Sequence, residues 1–203
     1  MMPVLILAAG ASSRMGGADK LLLEVDGLPL LVRQAQMARE VSDDARIALP
    51  PRPHPRYGAL QGLNVRTVEV TDAAEGMNAS LRTLFGTLDP GTPRAMLLLA
   101  DLPDLTAKDL RAVIAASQAH PDALIWRGAT TDCIGGHPMI FAASLFEAFQ
   151  ALSGDGGGQS IVTRAGDAVH LVPFDDDRAR RDLDTPHDWA AWRAARSTSG
   201  GQR

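Results

Sequence analysis

The chain has 203 residues, of which 45% are hydrophobic and 22% are charged, with a formal net charge of −4. This composition is that of a globular protein and excludes a disordered or fibrous chain. The small acidic excess gives no electrostatic reason to expect nucleic acid or a membrane as a partner. The first apolar run lacks a preceding basic residue and is too short for a signal peptide, and the single cysteine, Cys133, excludes an internal disulfide framework. We therefore expect a cytoplasmic protein.

Short apolar segments alternate with amphipathic segments of helical length, which predicts an α/β fold with a mostly parallel central sheet. In chain order we predict a strand at 4–8, a helix at 29–41, strands at 46–49 and 65–70, a helix at 76–88, a strand at 95–100, a helix at 106–119 with Thr106 as its N-cap, strands at 123–126 and 138–142, a helix at 145–152, a strand at 168–172 and a helix at 186–195. Residues 1–196 are expected to form one domain. The polar tail 197–203 is expected to be disordered.

The segment after the first strand is a candidate site, because parallel α/β sheets bind ligands at the carboxyl ends of their strands. Its small residues let backbone amides approach an anion, and its serines and basic side chains add donors and charge. It contains neither a Walker A loop nor a GxGxxG fingerprint, and an ordinary glycine- and serine-containing connection is an equal alternative. The residues are Leu7, Ala8, Ala9, Gly10, Ala11, Ser12, Ser13, Arg14, Met15 and Gly16, followed by Lys20.

Two carboxylates are candidate ligands for Mg²⁺, a hard cation that prefers oxygen. Asp101 follows a strongly apolar strand, where a carboxylate has no packing reason to lie, and Asp184 belongs to a later acidic cluster. The alternatives are helix capping, by Asp101 or Asp104 for the helix at 106–119 and by Asp184 or Thr185 for the last helix.

Five segments in succession resemble the molybdopterin nucleotidyltransferase family, whose first loop reads LAAGxSSRMGxxK. After that loop and its continuation at 20–31, the matching segments are 75–82, 100–103, 136–138 and 182–186. The resemblance implies a three-layer, Rossmann-like nucleotidyltransferase fold. The LAAG form is similar to the branch of the family that transfers CMP, whereas the branch that transfers GMP reads LAGG.

The resemblance also implies roles for residues. Arg14, Lys20 and Asp101 would be catalytic, with Arg14 and Lys20 neutralising the triphosphate, and Asp101 and Asp184 would hold one Mg²⁺. Residues 7–16, Lys20, Asn78, Ser80 and Asp101 would bind the nucleotide. The acceptor would contact Arg82, Gly136, His137, Pro138 and Asp155. For Arg82 a solvated helix-face arginine, and for His137 a structural histidine, are equally good interpretations.

The implied substrates are CTP and the molybdopterin cofactor, with a molybdoenzyme or its chaperone as a further partner. The chain departs from the family at Gln159, where an arginine commonly helps to hold the acceptor, and at Ala100, where a glycine is common. The acceptor therefore stays open, with a sugar or polyol phosphate as the first alternative. A non-catalytic protein that binds the cofactor during maturation of a molybdoenzyme is the second.

Overall fold

The computed structural model describes residues 2–154 and 156–200. The strands are β1 (Val4–Leu7), β2 (Glu24–Val25), β3 (Leu28–Pro29), β4 (Ala45–Leu49), β5 (Arg66–Glu69), β6 (Arg94–Leu99), β7 (Ile125–Ala129), β8 (Gly135–Ala142) and β9 (Val169–Pro173). The α-helices are α1 (Leu30–Arg39), α2 (Pro55–Ala59), α3 (Met77–Gly86), α4 (Ala107–Ala119), α5 (Phe146–Gln150), α6 (Gln159–Ala165) and α7 (Pro186–Gly200).

Seven strands form one sheet in the order β5-β4-β1-β6-β8-β7-β9, while β2 and β3 form a separate hairpin. Strands β5, β4, β1 and β6 are parallel, and β9 is parallel to β7. Strand β8 lies antiparallel between β6 and β7. The predicted α/β fold with a mostly parallel sheet is therefore confirmed. Strands β1 and β6 are neighbours, which brings the residues that follow them to one edge of the sheet.

Both faces of the sheet are covered, which explains why the inner strands read as continuous apolar runs. Alternate residues of β1 point to opposite faces. Val4 and Ile6 belong to a core cluster that includes side chains from α1, α4 and α7. Leu5 belongs to a second cluster with side chains from α3, α5 and α6. The result is three layers, with the sheet in the middle.

Helix α4 begins as its sequence predicts. The Thr106 side chain accepts a hydrogen bond from the Asp109 backbone N–H, and the Asp109 carboxylate accepts one from the Thr106 N–H at 2.9 Å. This reciprocal capping box satisfies two backbone donors that the first helical turn leaves free. Neither Asp101 nor Asp104 caps this helix, so the capping alternative for them is wrong.

The C-terminal segment differs from its prediction. Helix α7 continues to Gly200, so residues 197–200 are helical rather than part of a disordered tail, and residues 201–203 lie outside the described part. The hydroxyls of Ser197 and Thr198 donate to the carbonyls of Arg193 and Ala194, four residues earlier, each at 3.0 Å. Serine and threonine hydroxyls can form such hydrogen bonds to the backbone within a helix. The polar composition of the segment does not reveal them.

Candidate active site

A cavity of about 620 Å³ lies beyond the carboxyl ends of β1 and β6. Its floor is the loop after β1, in which residues Ser13–Met15 form a single 3-10 turn, and one wall is the start of α3. It is lined by Leu7, Ala8, Ala9, Gly10, Ala11, Ser12, Ser13, Arg14, Lys20, Leu21, Ala73, Ala74, Gly76, Met77, Ser80, Leu99, Asp101, Asp182 and Asp184. The structure thus brings most of the residues predicted for nucleotide binding into one cleft.

Lys20 joins the two predicted metal carboxylates. Its Nζ donates to Asp101 Oδ2 at 2.5 Å and to Asp184 Oδ1 at 2.6 Å, and Arg14 Nη1 donates to Asp184 Oδ2 at 2.5 Å. Burial alone would lower the pKa of Lys20, but the charges and hydrogen bonds of Asp101 and Asp184 outweigh it and raise the pKa. Residues that lie 81 and 164 positions from Lys20 therefore converge on one charged cluster.

Asp101 keeps free coordination capacity in this cluster. Asp101 Oδ1 is buried and, within the described residues, has no hydrogen-bond partner. Thr185, the other predicted cap, caps α7: Thr185 Oγ1 accepts from the Asp188 N–H, and the Asp188 carboxylate accepts from the Thr185 N–H. The alternative that Asp184 caps α7 is therefore wrong. Buried, unpaired carboxylate oxygens beside another carboxylate are the donors that a hard divalent cation uses.

Asp182 is a third acidic residue of the cleft. Partial desolvation and the neighbouring charges of Asp101 and Asp184 raise the pKa of Asp182. The segment is fixed next to the end of β6, because the Leu183 N–H donates to the Asp101 carbonyl at 3.2 Å. In the described part of the chain, no three His, Cys, Asp or Glu side chains are arranged so that they could hold a metal ion by themselves.

Arg56 was not predicted, yet it holds the loop after β1 at three places. Its guanidinium donates to the Ala8 carbonyl at 2.6 Å, to Ser12 Oγ at 3.1 Å and to both oxygens of Asp19 at 2.7 and 2.8 Å. The Asp19 carboxylate also accepts from the Leu21 N–H, next to Lys20. The Arg56 side chain is only 1% exposed. No sequence pattern indicates this contact, because 37 residues separate Arg56 from Asp19.

Four of the predicted binding residues make other contacts. Met15 is buried in the core, and Gly16 ends the 3-10 turn with a positive φ of 62°. The Asn78 side-chain amide donates to the Ser153 carbonyl at 2.7 Å. Arg82 donates to the Leu152 carbonyl at 2.9 Å and to Glu75 at 2.5 Å. Asn78 and Arg82 thus tie α3 to the segment before residue 155, and Asp155 itself lies outside the described residues.

Gly136, His137 and Pro138 lie at the start of β8. The Gly136 backbone is packed so closely that a Cβ there would lie 2.2 Å from the Ala179 carbonyl oxygen. The His137 N–H donates to that same carbonyl at 2.8 Å, and its Nδ1 lies 3.4 Å from the Leu97 carbonyl oxygen. Burial lowers the pKa of His137 to about 4, so the ring is neutral at pH 7. These contacts join β8, β6 and the segment that carries the acidic residues.

We expect the free energy of unfolding to fall through His137 as the pH is lowered from about 6.5 to 4. The pKa of His137 is about 4 in the folded protein against 6.5 for an ordinary histidine, so the unfolded chain takes up the proton first. The stabilisation is therefore complete above pH 6.5. Urea unfolding at pH 7.5 and 5 should show a smaller acid-induced loss in His137→Gln than in wild type. Burial also lowers the pKa values of His54 and His170, which titrate in both proteins. An equal loss in the two proteins would contradict the prediction.

Solved structures share this fold. The chain superposes with a TM-score of 0.82, at 27% identity and over 96% of both chains, on a homolog of Mycobacterium tuberculosis Rv0371c from Mycobacterium sp. strain JC1. It superposes with a TM-score of 0.74, at 13% identity and over 98% and 100% of the chains, on a CMP:2-keto-3-deoxy-manno-octonic acid synthetase complexed with CTP. The second likeness concerns the fold alone. Together with the family match, the fold and the charged cleft define a nucleotidyltransferase.

More particularly, the chain belongs to the family of MobA-like NTP transferase domains, whose model matches residues 4–169. It is 30% identical over 193 residues to a molybdenum cofactor guanylyltransferase of Ectopseudomonas mendocina, covering 93% of this chain and 90% of the relative. It is 38% identical over 109 residues to a probable molybdenum cofactor guanylyltransferase of Synechococcus elongatus, covering 53% and 54%. No α-helix among the described residues is long and apolar enough to cross a membrane.

Proposed function

We propose that the protein transfers CMP from CTP to the phosphate of the molybdopterin cofactor, with release of pyrophosphate and with Mg²⁺ as its metal. The observation that carries the proposal is the position of Lys20, between Asp101 and Asp184 at the edge of a cleft formed by the loop after β1. Phosphoryl-type transfer needs positioning and charge neutralisation more than a protein nucleophile. This cleft offers backbone amides, two cations and three carboxylates for those tasks.

The proposed reaction assigns a separate role to each part of the cleft. The loop after β1 would hold the triphosphate with its backbone amides, and Arg14, which is 70% exposed, can reach the β- and γ-phosphates. Lys20 would neutralise charge on the α-phosphate. An oxygen of the acceptor phosphate attacks the α-phosphorus, the bond from that phosphorus to the oxygen it shares with the β-phosphate breaks, and pyrophosphate leaves with the electron pair.

Asp101 and Asp184 fit a bound Mg²⁺. Asp101 has a buried oxygen without a partner in the described part, and the two carboxylates share one ammonium ion. A two-carboxylate site is ordinary for Mg²⁺, which keeps waters and takes further oxygens from substrate phosphates. When bound, the ion would polarise the α-phosphate and stabilise the leaving pyrophosphate.

The identity of the base rests on Ala9, the second alanine of the LAAG segment, where the family branch that transfers GMP has glycine. Ala9 lines the cleft and is 5% exposed, and we infer that its methyl group narrows the space for the base. This supports a pyrimidine. GMP transfer from GTP is the second candidate, because the curated relatives at 30% and 38% identity are named guanylyltransferases.

We expect wild type to use CTP in preference to GTP, and Ala9→Gly to shift the CTP-to-GTP ratio of kcat/KM towards GTP by about 10-fold. One methyl group in a packed pocket discriminates by roughly 10- to 200-fold. Pyrophosphate release with the molybdopterin cofactor and each nucleotide measures the ratio. Ala11→Gly, a methyl deletion at an exposed position of the same loop, measures how far added loop flexibility alone shifts the ratio. A wild type that prefers GTP would favour the second candidate.

The acceptor is supported by relatives that are named for the molybdenum cofactor. A sugar or polyol phosphate as acceptor would need the same chemistry at the α-phosphorus. Assays with a panel of phosphorylated acceptors distinguish it from the molybdopterin cofactor. A maturation protein without catalysis would bind nucleotide and cofactor and release no pyrophosphate. The cluster of Arg14, Lys20, Asp101 and Asp184 argues against this last role, because binding alone does not need carboxylates beside a triphosphate site.

A further inference from the structure

Two arginines meet at the start of β8, outside the cleft described above. Arg127 lies on β7, and its Nε donates to the Gly136 carbonyl at 3.2 Å. Arg180 lies in the segment between β9 and α7, and its Nη1 donates to the Gly135 carbonyl at 3.0 Å. Gly135 makes room for Arg127, since a Cβ at that position would lie 2.6 Å from Arg127 Nε and 2.7 Å from its Cζ.

These two guanidinium groups lack a carboxylate partner, which most arginines of this chain have. In the span 2–154 and 156–200 neither forms an ion pair, and the hydrogen bonds they donate end on backbone carbonyls. Burial lowers the pKa of Arg127, and the charge of Arg180 lowers it further. A half-buried cation beside a like charge is unfavourable unless an anion compensates it. Each guanidinium still has donors to offer, because an arginine carries five N–H groups.

The pair lies close to the catalytic cluster. The segment that carries Arg180 is fixed at Ala179, whose carbonyl accepts from the His137 N–H at 2.8 Å, and at Leu183, whose N–H donates to the Asp101 carbonyl at 3.2 Å. Arg180 is thus held between β8 and the end of β6, and Asp182 and Asp184 of the cleft follow it directly. A phosphate held by Arg127 and Arg180 would therefore lie on the side of the carboxylates that faces β8, away from the loop after β1.

From this arrangement we infer that Arg127 and Arg180 form the subsite for the phosphate group of the acceptor. The inference rests on the proposed function for the identity of that acceptor, a phosphomonoester. A phosphate dianion matches two guanidinium groups in both charge and fork geometry. The subsite separates the two anions of the reaction, with the triphosphate on the loop after β1 and the acceptor phosphate on β7 and β8. Arg14 and Lys20 serve the first anion, and Arg127 and Arg180 the second.

The kinetic test uses Arg127→Gln, Arg180→Gln and the double variant. We expect the KM for the molybdopterin cofactor to rise about 10-fold in each single variant and more in the double variant, with the KM for CTP and kcat within twofold of wild type. Arg180→Lys should recover part of the affinity because it keeps the charge. Arg66→Gln, an exposed arginine on β5 at the far edge of the sheet, is the matched control and should change nothing. Arg180 is exposed, so its variants test the idea even where Arg127→Gln folds poorly.

A binding test separates this inference from the proposed function. Inorganic phosphate is titrated calorimetrically into the protein already saturated with CTP and Mg²⁺, so that the triphosphate site is filled. Wild type should bind phosphate, and the double variant should bind it at least 10-fold more weakly, whether or not the molybdopterin cofactor is turned over. Phosphate affinity and acceptor KM that are unchanged in the double variant, or a fall in kcat alone, would overturn the subsite. Absence of turnover in wild type with intact phosphate binding would instead count against the proposed acceptor.

Discussion

Replacement of Asp101 by asparagine is expected to lower kcat by about 10²- to 10³-fold, the usual consequence of removing one preorganised charge from a transition state. Asparagine keeps the size of the side chain and removes the negative charge that Lys20 and the proposed Mg²⁺ share. Asparagine Oδ1 can still accept from Lys20, which keeps Asp184 as its charged partner, so we expect the loss of stability to be small beside the loss of activity. Steady-state pyrophosphate release and a thermal melt measure the two effects.

Asp104→Asn provides a matched control three positions along the same segment. The Asp104 carboxylate accepts from Arg181 Nη1 at 2.7 Å and from Trp192 Nε1 at 3.0 Å, in a separate cavity. We expect its kcat to stay within twofold of wild type and its melting temperature to fall. Equal activity of wild type and Asp101→Asn would exclude Asp101 from the catalytic machinery.

Replacement of Arg56 by glutamine is expected to destabilise the protein by about 3 to 5 kcal/mol and to raise the KM for CTP. Breaking a buried ion pair on one side leaves an uncompensated charge, and here the Asp19 carboxylate would lose its two contacts with the guanidinium. The loop that carries Ser12 would lose its link to α2 at the same time. Arg56 would thus be a positioning residue, acting through the backbone of the loop proposed to hold the triphosphate.

Arg46→Gln separates the effect on the loop from the effect on stability. Arg46 is also buried, at 3% exposure, and it binds both Asp44 oxygens at 2.8 and 2.6 Å at the opposite end of the sheet. Both variants should lower the free energy of urea unfolding, but we expect only Arg56→Gln to raise the KM for CTP. An unchanged KM in Arg56→Gln at a temperature where it is folded would contradict the positioning role.

Much of the fold follows from local patterns in the sequence. The apolar run of β1 and the Thr106 and Asp109 capping pair depend on neighbouring residues, and the structure has both where the sequence predicts them. The convergence of Lys20 with Asp101 and Asp184 could not be predicted from local patterns alone. Each residue follows or precedes a predicted element, but their meeting depends on β1 and β6 being adjacent in the sheet. The resemblance to a family supplied that pairing, which spacing alone leaves open.

The remaining features depend on tertiary contacts that no local pattern encodes. Arg56 lies after the proline-rich segment that closes the predicted strand at 46–49, and its partners Ala8, Ser12 and Asp19 become visible only in the folded chain. Arg127 directly follows the predicted strand at 123–126 and carries no local signal of a role, and Arg180 lies in a run of charged residues. Arg82 shows the reverse case, since its predicted role as an acceptor contact competes with its pairing to Glu75.

The most direct test of the central proposal is to identify the product. Wild-type protein is incubated with Mg²⁺, the molybdopterin cofactor and each of CTP, GTP, ATP and UTP in turn, and the products are analysed by mass spectrometry together with pyrophosphate release. We predict that CTP gives a cofactor enlarged by one CMP, in a one-to-one ratio with pyrophosphate. Binding of nucleotide and cofactor without an enlarged cofactor or pyrophosphate for any of the four nucleotides would contradict nucleotidyl transfer to this acceptor.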